Sequence, residues 1–414
     1  MTFLVIGKQC GCLVAKCESS TANGLPNLLY LGDVPVESSY HGSALLYRLL
    51  QRFPVDRLRV MENMNRSLPE RRLAGVTYCA ITTRTKRLLT TRLHRWASSF
   101  LSRSAPWRWR GIVKLLGDFK PQAVLTVAHG FSWMTAAQFA RRSGLPLHFI
   151  VHDDWPGMVA GTRQLRAWVD RQFQKCYRNA TSRLCVSPYM VDEYNRRYGV
   201  GGTVLYPSRA ADANVFETPP ERLRHQSPGL TAVFAGTINS SGDVRALQLL
   251  AGCLAEIQGR LLIFGPLTRE QAAVNGLNRE NIELRGLVTS SDLIRHCRDE
   301  ADILFVPMSF LPENRANMEI NFPSKLTDYT AIGLPLLING PDNSSAVRWA
   351  RENPGVAVVV TEESSETLGR ALLKLQDPIR RVALADAAIR CGHEFFDNDR
   401  ANAVFREALQ TPRG

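Results

Sequence analysis

Apolar residues along the chain recur in two alternating rhythms. Short runs of period two or less predict strands at 27–32, 123–128, 147–152, 182–186 and 203–206. Between them, apolar positions spaced three and four apart predict helices at 42–53, 135–142, 163–179 and 188–198. The stretch 208–229, SRAADANVFETPPERLRHQSPG, breaks the rhythm: it is polar, proline-containing and aperiodic, which is the composition of a linker. A second alternating series follows, with strands at 231–235, 260–264, 282–285, 303–306, 336–338 and 356–360. Strands that alternate with amphipathic helices predict an α/β protein of parallel, doubly wound sheets. The pattern therefore predicts two Rossmann-like domains, 27–207 and 230–394, facing each other across a cleft. Residues 1–26 form an extension, and a terminal helix at 395–414 is placed to pack back on the first domain. Ligands of such sheets sit beyond the carboxyl ends of the strands, so the site is expected in the cleft.

Length and composition agree with this division. A chain of 414 residues exceeds what one core usually serves, and 45% hydrophobic with 21% charged residues is ordinary for a globular protein. Nine cysteines without an evident secretory leader suit a reducing cytoplasm. Cys10, Cys12 and Cys17 lack the paired spacing of a zinc knuckle and are read as loose thiols. The longest uncharged run, between Lys120 and Arg141, contains Pro121, His129 and Gly130, which suits strand, loop and helix better than a membrane span.

Charge changes the picture more. The formal net charge is +13, and residues 57–120 hold fifteen Lys or Arg against Glu62, Glu70 and Asp118, a local excess of +12. Such a patch calls for an anionic partner. Within it, HRWASSFLSRSAPWRWR at 94–110 mixes Trp96, Trp107 and Trp109 with Arg103, Arg108 and Arg110. Tryptophan beside arginine suits a lipid headgroup region, so the stretch is expected on an anionic membrane surface or a phosphate-linked acceptor. The alternative is a solvated basic helix with its tryptophans turned inward. Nucleic acid is disfavoured, because no recognised nucleic-acid module accompanies the charge.

The segment 321–338, NFPSKLTDYTAIGLPLLI, carries the chemistry. Asn321, Pro323 and Ser324 form a turn before a helix expected from 325 to 331, whose amino end presents free N–H groups to an anion. Ser324 is placed to cap it, Lys325 adds a formal charge, and Asp328 lies one turn further in. A plain serine-capped helix would look the same locally. In order, however, Pro323, Ser324, Lys325, Asp328, Tyr329, Ala331, Gly333 and Pro335 resemble the donor-site motif of the family-4 retaining glycosyltransferases, which have the GT-B fold. AVFAGT at 232–237, ELRGLV at 283–288 with Asp292, ADILFVP at 301–307, VHDDWP at 151–156 and CVSPYM at 185–190 fall in family order.

The resemblance implies a nucleotide-sugar donor and a glycan or lipid-linked acceptor, in cell-surface polysaccharide synthesis at the inner face of the plasma membrane. Asn321, Phe322, Ser324 and Lys325 would hold the diphosphate, with Gly236 and Thr237 approaching it. Asp328 would bind ribose, in the family's glutamate position, while Arg285 and Val288 would line the base. His152 and Glu319 would stand at the reacting centre, and His41 and Gly42 on the acceptor side. Two departures accompany it. Counting back from Asp328 places Ile320 where the family has its first glutamate, with Glu319 one place off. Thr237 and the residues after it lack the family's basic pair, leaving Lys325, Arg209 or Arg315 to neutralise phosphate. Asp153 and Asp154 beside His152 could chelate a metal, but a helix amino end and Lys325 can supply that positive charge, so no metal or other cofactor is expected. The rival functions are a non-catalytic GT-B homologue that binds glycan or anionic lipid, and a GT-B sugar-nucleotide epimerase.

Overall fold

The structure is a computed structural model that describes residues 24–38, 41–62, 69–81, 91–92, 94–159, 162–227, 229–238 and 240–411. The cysteines at 10, 12 and 17, the basic residues Arg66, Arg84, Lys86 and Arg87, and the side chains of His41, Arg95 and Trp96 lie outside the described residues.

The first sheet contains β1 (Leu28–Gly32), β2 (Leu58–Glu62), β3 (Thr77–Ala80), β4 (Ala123–Val127), β5 (Leu147–Val151), β6 (Ser182–Cys185) and β7 (Thr203–Val204). All pairs are parallel, in the order β3-β2-β1-β4-β5-β6-β7. The second contains β8 (Thr231–Ala235), β9 (Arg260–Phe264), β10 (Ile282–Gly286), β11 (Ile303–Pro307), β12 (Leu336–Asn339) and β13 (Ala357–Val360). It too is parallel, in the order β10-β9-β8-β11-β12-β13. The central strands β1, β4 and β5 are buried on both faces, as the continuous apolar runs LLYLG, AVLTV and LHFIV require. The chain thus forms two doubly wound parallel-sheet domains that face each other across a cleft.

Two strands are absent from the sequence pattern. In β2, Arg59 and Glu62 interrupt the apolar run. Glu62 is nevertheless fully buried, because it accepts the Val36 N–H at 2.7 Å and pairs with Arg72 at 3.1 Å. Edge strand β3 is half exposed and carries no buried run. The segment 208–229 is no free tether either. Ser208 and Arg209 are buried, Phe216 stacks under Arg298 at 3.8 Å, and Arg222 pairs with Asp302 at 3.2 Å.

The terminal helix Asn398–Gln410 packs on the helix His41–Leu50, and Asn398 donates to the carbonyls of Arg48 (3.2 Å) and Arg209 (3.0 Å). Beside this crossing, Tyr206, Phe322, Trp349, Phe395 and Phe396 form one aromatic cluster with neighbouring ring centres 4.9–6.3 Å apart. The two sheets are therefore joined through a packed hinge rather than a flexible linker.

Candidate active site

In each sheet the strand order reverses between the first strand and the fourth, at β1/β4 and at β8/β11. The loops leaving these strands diverge there and open a crevice at the carboxyl ends. The crevices of the two sheets meet in the cleft, as compartments of about 190 and 580 Å3 that share Leu45, Pro207, Thr237, Ser324 and Lys325.

Gly236, Thr237, Val288, Ser324, Lys325 and Asp328 come together in the smaller compartment. Gly236 leaves β8 with φ 141°, and its N–H bonds the Phe264 carbonyl at 2.8 Å. The next strand approaches so closely that a Cβ on Gly265 would lie 2.3 Å from the Gly236 oxygen. The Ala235 N–H donates to the Tyr329 hydroxyl at 2.7 Å, which ties this turn to the helix Lys325–Ile332. That helix begins at the cleft. Contrary to expectation, the Ser324 side chain does not cap it: the residue already has helical φ and ψ, so its hydroxyl is not aimed back at the first-turn N–H groups.

Lys325 brings a formal positive charge to this compartment. Its ammonium lies 4.2 Å from the Phe234 ring centre, and among the described residues it makes no hydrogen bond or ion pair. Burial pulls its pKa down to about 8, against a partial upward pull from Asp243. Opposite, Phe264, Leu287 and Val288 supply an apolar wall, with Leu287 70% exposed. Arg285 is not on that wall, because Glu300 holds it at 2.8 Å and Glu283 at 3.2 Å. Asp328 faces the compartment but already has a partner: Arg48, from the first domain, lies 3.0 Å from each of its carboxylate oxygens.

The larger compartment receives His152, Gly42, Asn321, Phe322 and again Lys325. His152 follows β5, and its Nε2 pairs with Asp153 at 3.2 Å. A Cβ on Gly42 would lie 3.5 Å from the His152 ring, so the helix His41–Leu50 passes directly over it. Burial would raise the Asp153 carboxyl, but His152, a hydrogen bond from Asn317 and the nearby His129 together hold it below the ordinary carboxylate range. Asn317 also accepts the Asp154 N–H at 2.9 Å, so the second domain grips this loop of the first. His129, His152 and Asp153 offer one potential metal ligand each within 4.8 Å of one another. Asn321 lines the compartment, whereas the Phe322 ring is spent in the aromatic hinge and is only 6% exposed.

Several expected residues stand elsewhere. Glu319 turns out of the cleft to Arg315, at 2.8 Å, and to Asn343 at 2.5 Å. Ile320 is 3% exposed, and its carbonyl accepts the Ser187 hydroxyl at 2.5 Å. Arg315 is therefore committed to Glu319, and Arg209 is buried against the Thr327 carbonyl, so neither lines the cleft. On the basic stretch, Arg103 and Arg110 are exposed. Arg108 instead turns inward, donating to the Leu101 carbonyl at 2.7 Å and the Ser104 hydroxyl at 2.9 Å. Arg48, His129, Asn317 and Tyr329 complete the site beyond the residues assigned from sequence. Of these, Tyr329 lay within the quoted motif, while nothing local distinguished Arg48 from any arginine on an amphipathic helix.

A family model described as Glycosyltransferase Family 4 matches residues 59–207, within the first domain. A search of curated proteins gives no match. Among solved structures, HepE from Anabaena in complex with UDP and glucose superposes with a TM-score of 0.63 at 14% identity, covering 94% of this chain and 100% of its own. An α,α-trehalose-phosphate synthase (UDP-forming) from Burkholderia vietnamiensis gives 0.64 at 12% identity, over 93% and 100% of the two chains. Sucrose-phosphate synthase from Thermosynechococcus elongatus gives 0.62 at 12% identity, over 92% and 97%. The architecture is the GT-B fold.

Proposed function

We propose that the chain is a glycosyltransferase that moves a sugar from a nucleoside-diphosphate donor to a glycan or lipid-linked acceptor, with retention at the anomeric carbon. The observation that carries this reading is the meeting of Lys325, the amino end of its helix and the Gly236 turn in one half of a cleft whose other half holds His152. A diphosphate fits the first half chemically: a close glycine backbone, a helix amino end and a desolvated ammonium all favour a group that gains negative charge as it leaves. The apolar wall of Phe264, Leu287 and Val288 suits a base, and the Asp328 carboxylate suits ribose hydroxyls. The UDP and glucose bound to HepE in its structure, and the Family 4 match over 59–207, support the same reading.

In the proposed reaction, Lys325 and the helix amino end stabilise the departing diphosphate, and a phosphate oxygen helps to remove the acceptor hydroxyl proton. No protein base is then needed; His152 orients the sugar end. The reaction is proposed to run without a metal, since the Asp153 carboxylate is already engaged by His152 and Asn317 and the positive charge is supplied by Lys325. Transfer is proposed at an anionic membrane face. No described helix is long and apolar enough to cross a membrane.

The test is thermal shift with UDP, GDP, ADP and their sugar conjugates, with and without EDTA. A true donor at one hundred times its dissociation constant adds about 2.7 kcal/mol of stability. Silence from the whole panel would overturn the proposal, and loss of the shift in EDTA would overturn its metal-free form. One observation favours a second reading, a non-catalytic homologue: Glu319 faces away from the cleft and Ile320 is buried. Binding of a sugar nucleotide with no release of nucleoside diphosphate in the presence of bacterial membranes would decide for that alternative.

A further inference from the structure

Arg48 has no place in the reaction described above, yet it reaches across the cleft into the donor compartment. It lies in the helix His41–Leu50 of the first domain, with its side chain only 13% exposed. One guanidinium nitrogen donates to the Ser208 carbonyl at 2.9 Å, at the crossing between domains, and to the Thr327 hydroxyl at 3.4 Å. The other lies 3.0 Å from both oxygens of Asp328. The domain crossing and the helix Lys325–Ile332 therefore fix the guanidinium between them, and the guanidinium fixes the carboxylate.

A structural role alone accounts poorly for this arrangement. Asp328 is 40% exposed, and an ion pair with one partner that open to water adds little to stability. The carboxylate meanwhile sits on the compartment wall beside Ser324 and Lys325, and a carboxylate has about four acceptor positions, more than one Arg48 nitrogen can fill. Two neighbouring hydroxyls of a ribose can take the remaining ones. Such contacts are strong only if the acceptor is ionised and held still. Among the described residues, Arg48 makes the only hydrogen bond and ion pair to the Asp328 carboxylate.

We propose that Arg48 is a positioning residue for the donor: it acts across the domain boundary to orient Asp328 for the 2′- and 3′-hydroxyls of a ribonucleoside diphosphate. The proposal rests on the nucleotide-sugar reading. It also couples ribose recognition to the hinge, because the same guanidinium holds Ser208.

The experiment is calorimetry with UDP, GDP and ADP, each beside its 2′,3′-dideoxy counterpart, on wild type, Arg48→Gln, Asp328→Asn and the double variant. Hydrogen bonds to a charged group set the scale, so wild type should lose about tenfold or more in affinity when the hydroxyls are removed. In Arg48→Gln the ribonucleotide should weaken by a similar factor, and the dideoxy form should show almost no further loss. The double variant should resemble either single one. A ribo-to-dideoxy ratio that survives in Arg48→Gln overturns the proposal, even if both ligands bind more weakly, because that is what a merely structural role would give. Equal binding of both forms by wild type overturns it while leaving the nucleotide reading standing. Failure of wild type to bind any of the three removes that reading, and the proposal with it.

Discussion

The ammonium of Lys325 is held close to the Phe234 ring, in surroundings that depress its pKa to about 8. A diphosphate placed beside it would restore the charged form and raise that pKa, so binding should take up protons. Affinity for a nucleoside-diphosphate sugar, whose diphosphate carries no group that titrates in this range, should be constant below pH 7 and fall as pH rises through 8, because deprotonation of the free protein then competes with the ligand. Calorimetry at pH 8 in buffers of different ionisation enthalpy measures this uptake directly. In Lys325→Ala the uptake should vanish and nucleoside-diphosphate affinity should drop by about 1.5–3 kcal/mol, the value of a charge-assisted contact. Unchanged binding would remove Lys325 from the site. The place of Lys325 at a helix amino end was legible from the turn before it, whereas its assignment to the donor came from the resemblance of the whole segment 321–338. Arg48 was not legible, since its significance depends on a helix 280 residues from Asp328 in the chain. The direction of Glu319 was not legible either: the resemblance gave its neighbourhood, while Arg315, four residues earlier, decides where its carboxylate points.

At the level of elements, the central strands and the helices 163–179 and 188–198 followed directly from periodicity, with Thr162 and Ser187 capping the two helices. The edge pair β2 and β3 did not, because Glu62 and Arg72 bury their charge against each other and an edge strand needs no apolar run. The register of strand ends was also illegible. Only the structure shows that β8 and β9 finish so close together that Gly236 and Gly265 touch. This approach shapes the phosphate side of the cleft and gives a test at its own scale. In Gly265→Ala the new methyl would meet the Gly236 carbonyl at 2.3 Å, where both partners are backbone and cannot rotate away. Stability should fall by about 1–3 kcal/mol in denaturant titration, the usual range for backbone strain, and nucleotide affinity should fall with it. A variant of unchanged stability would mean that the two turns separate freely, and that their spacing is no constraint on the site.

Across the whole molecule, the described basic residues within the +12 stretch 57–120 include two populations. Arg57, Arg59, Arg72 and Arg108 serve the fold: they bond the Leu25 carbonyl, cover the Phe119 ring at 5.1 Å, pair with Glu62 and bond the Leu101 carbonyl. Arg103, Arg110 and Lys114 face solvent, beside Phe100 (47% exposed), Trp107 (70%), Val113 (50%) and Leu115 (44%). Exposed aromatic and aliphatic side chains among cations suit an anionic interface better than water. Each such cation contributes about 1 kcal/mol near an anionic surface, within about one Debye length. Replacing Arg103, Arg110 and Lys114 by Ser should therefore weaken binding to phosphatidylserine-containing liposomes at least tenfold, by a sum of about 3 kcal/mol discounted for salt. Raising the salt should reproduce the loss in wild type. Nucleotide affinity should stay constant, because the donor compartment is built mainly by the second domain. Arg108→Ser serves as the contrast: it should lower stability, through the lost bonds to Leu101 and Ser104, more than it lowers liposome binding. Wild-type protein that ignores these liposomes at low salt would exclude the membrane, and the outward cations would then serve a soluble anionic acceptor.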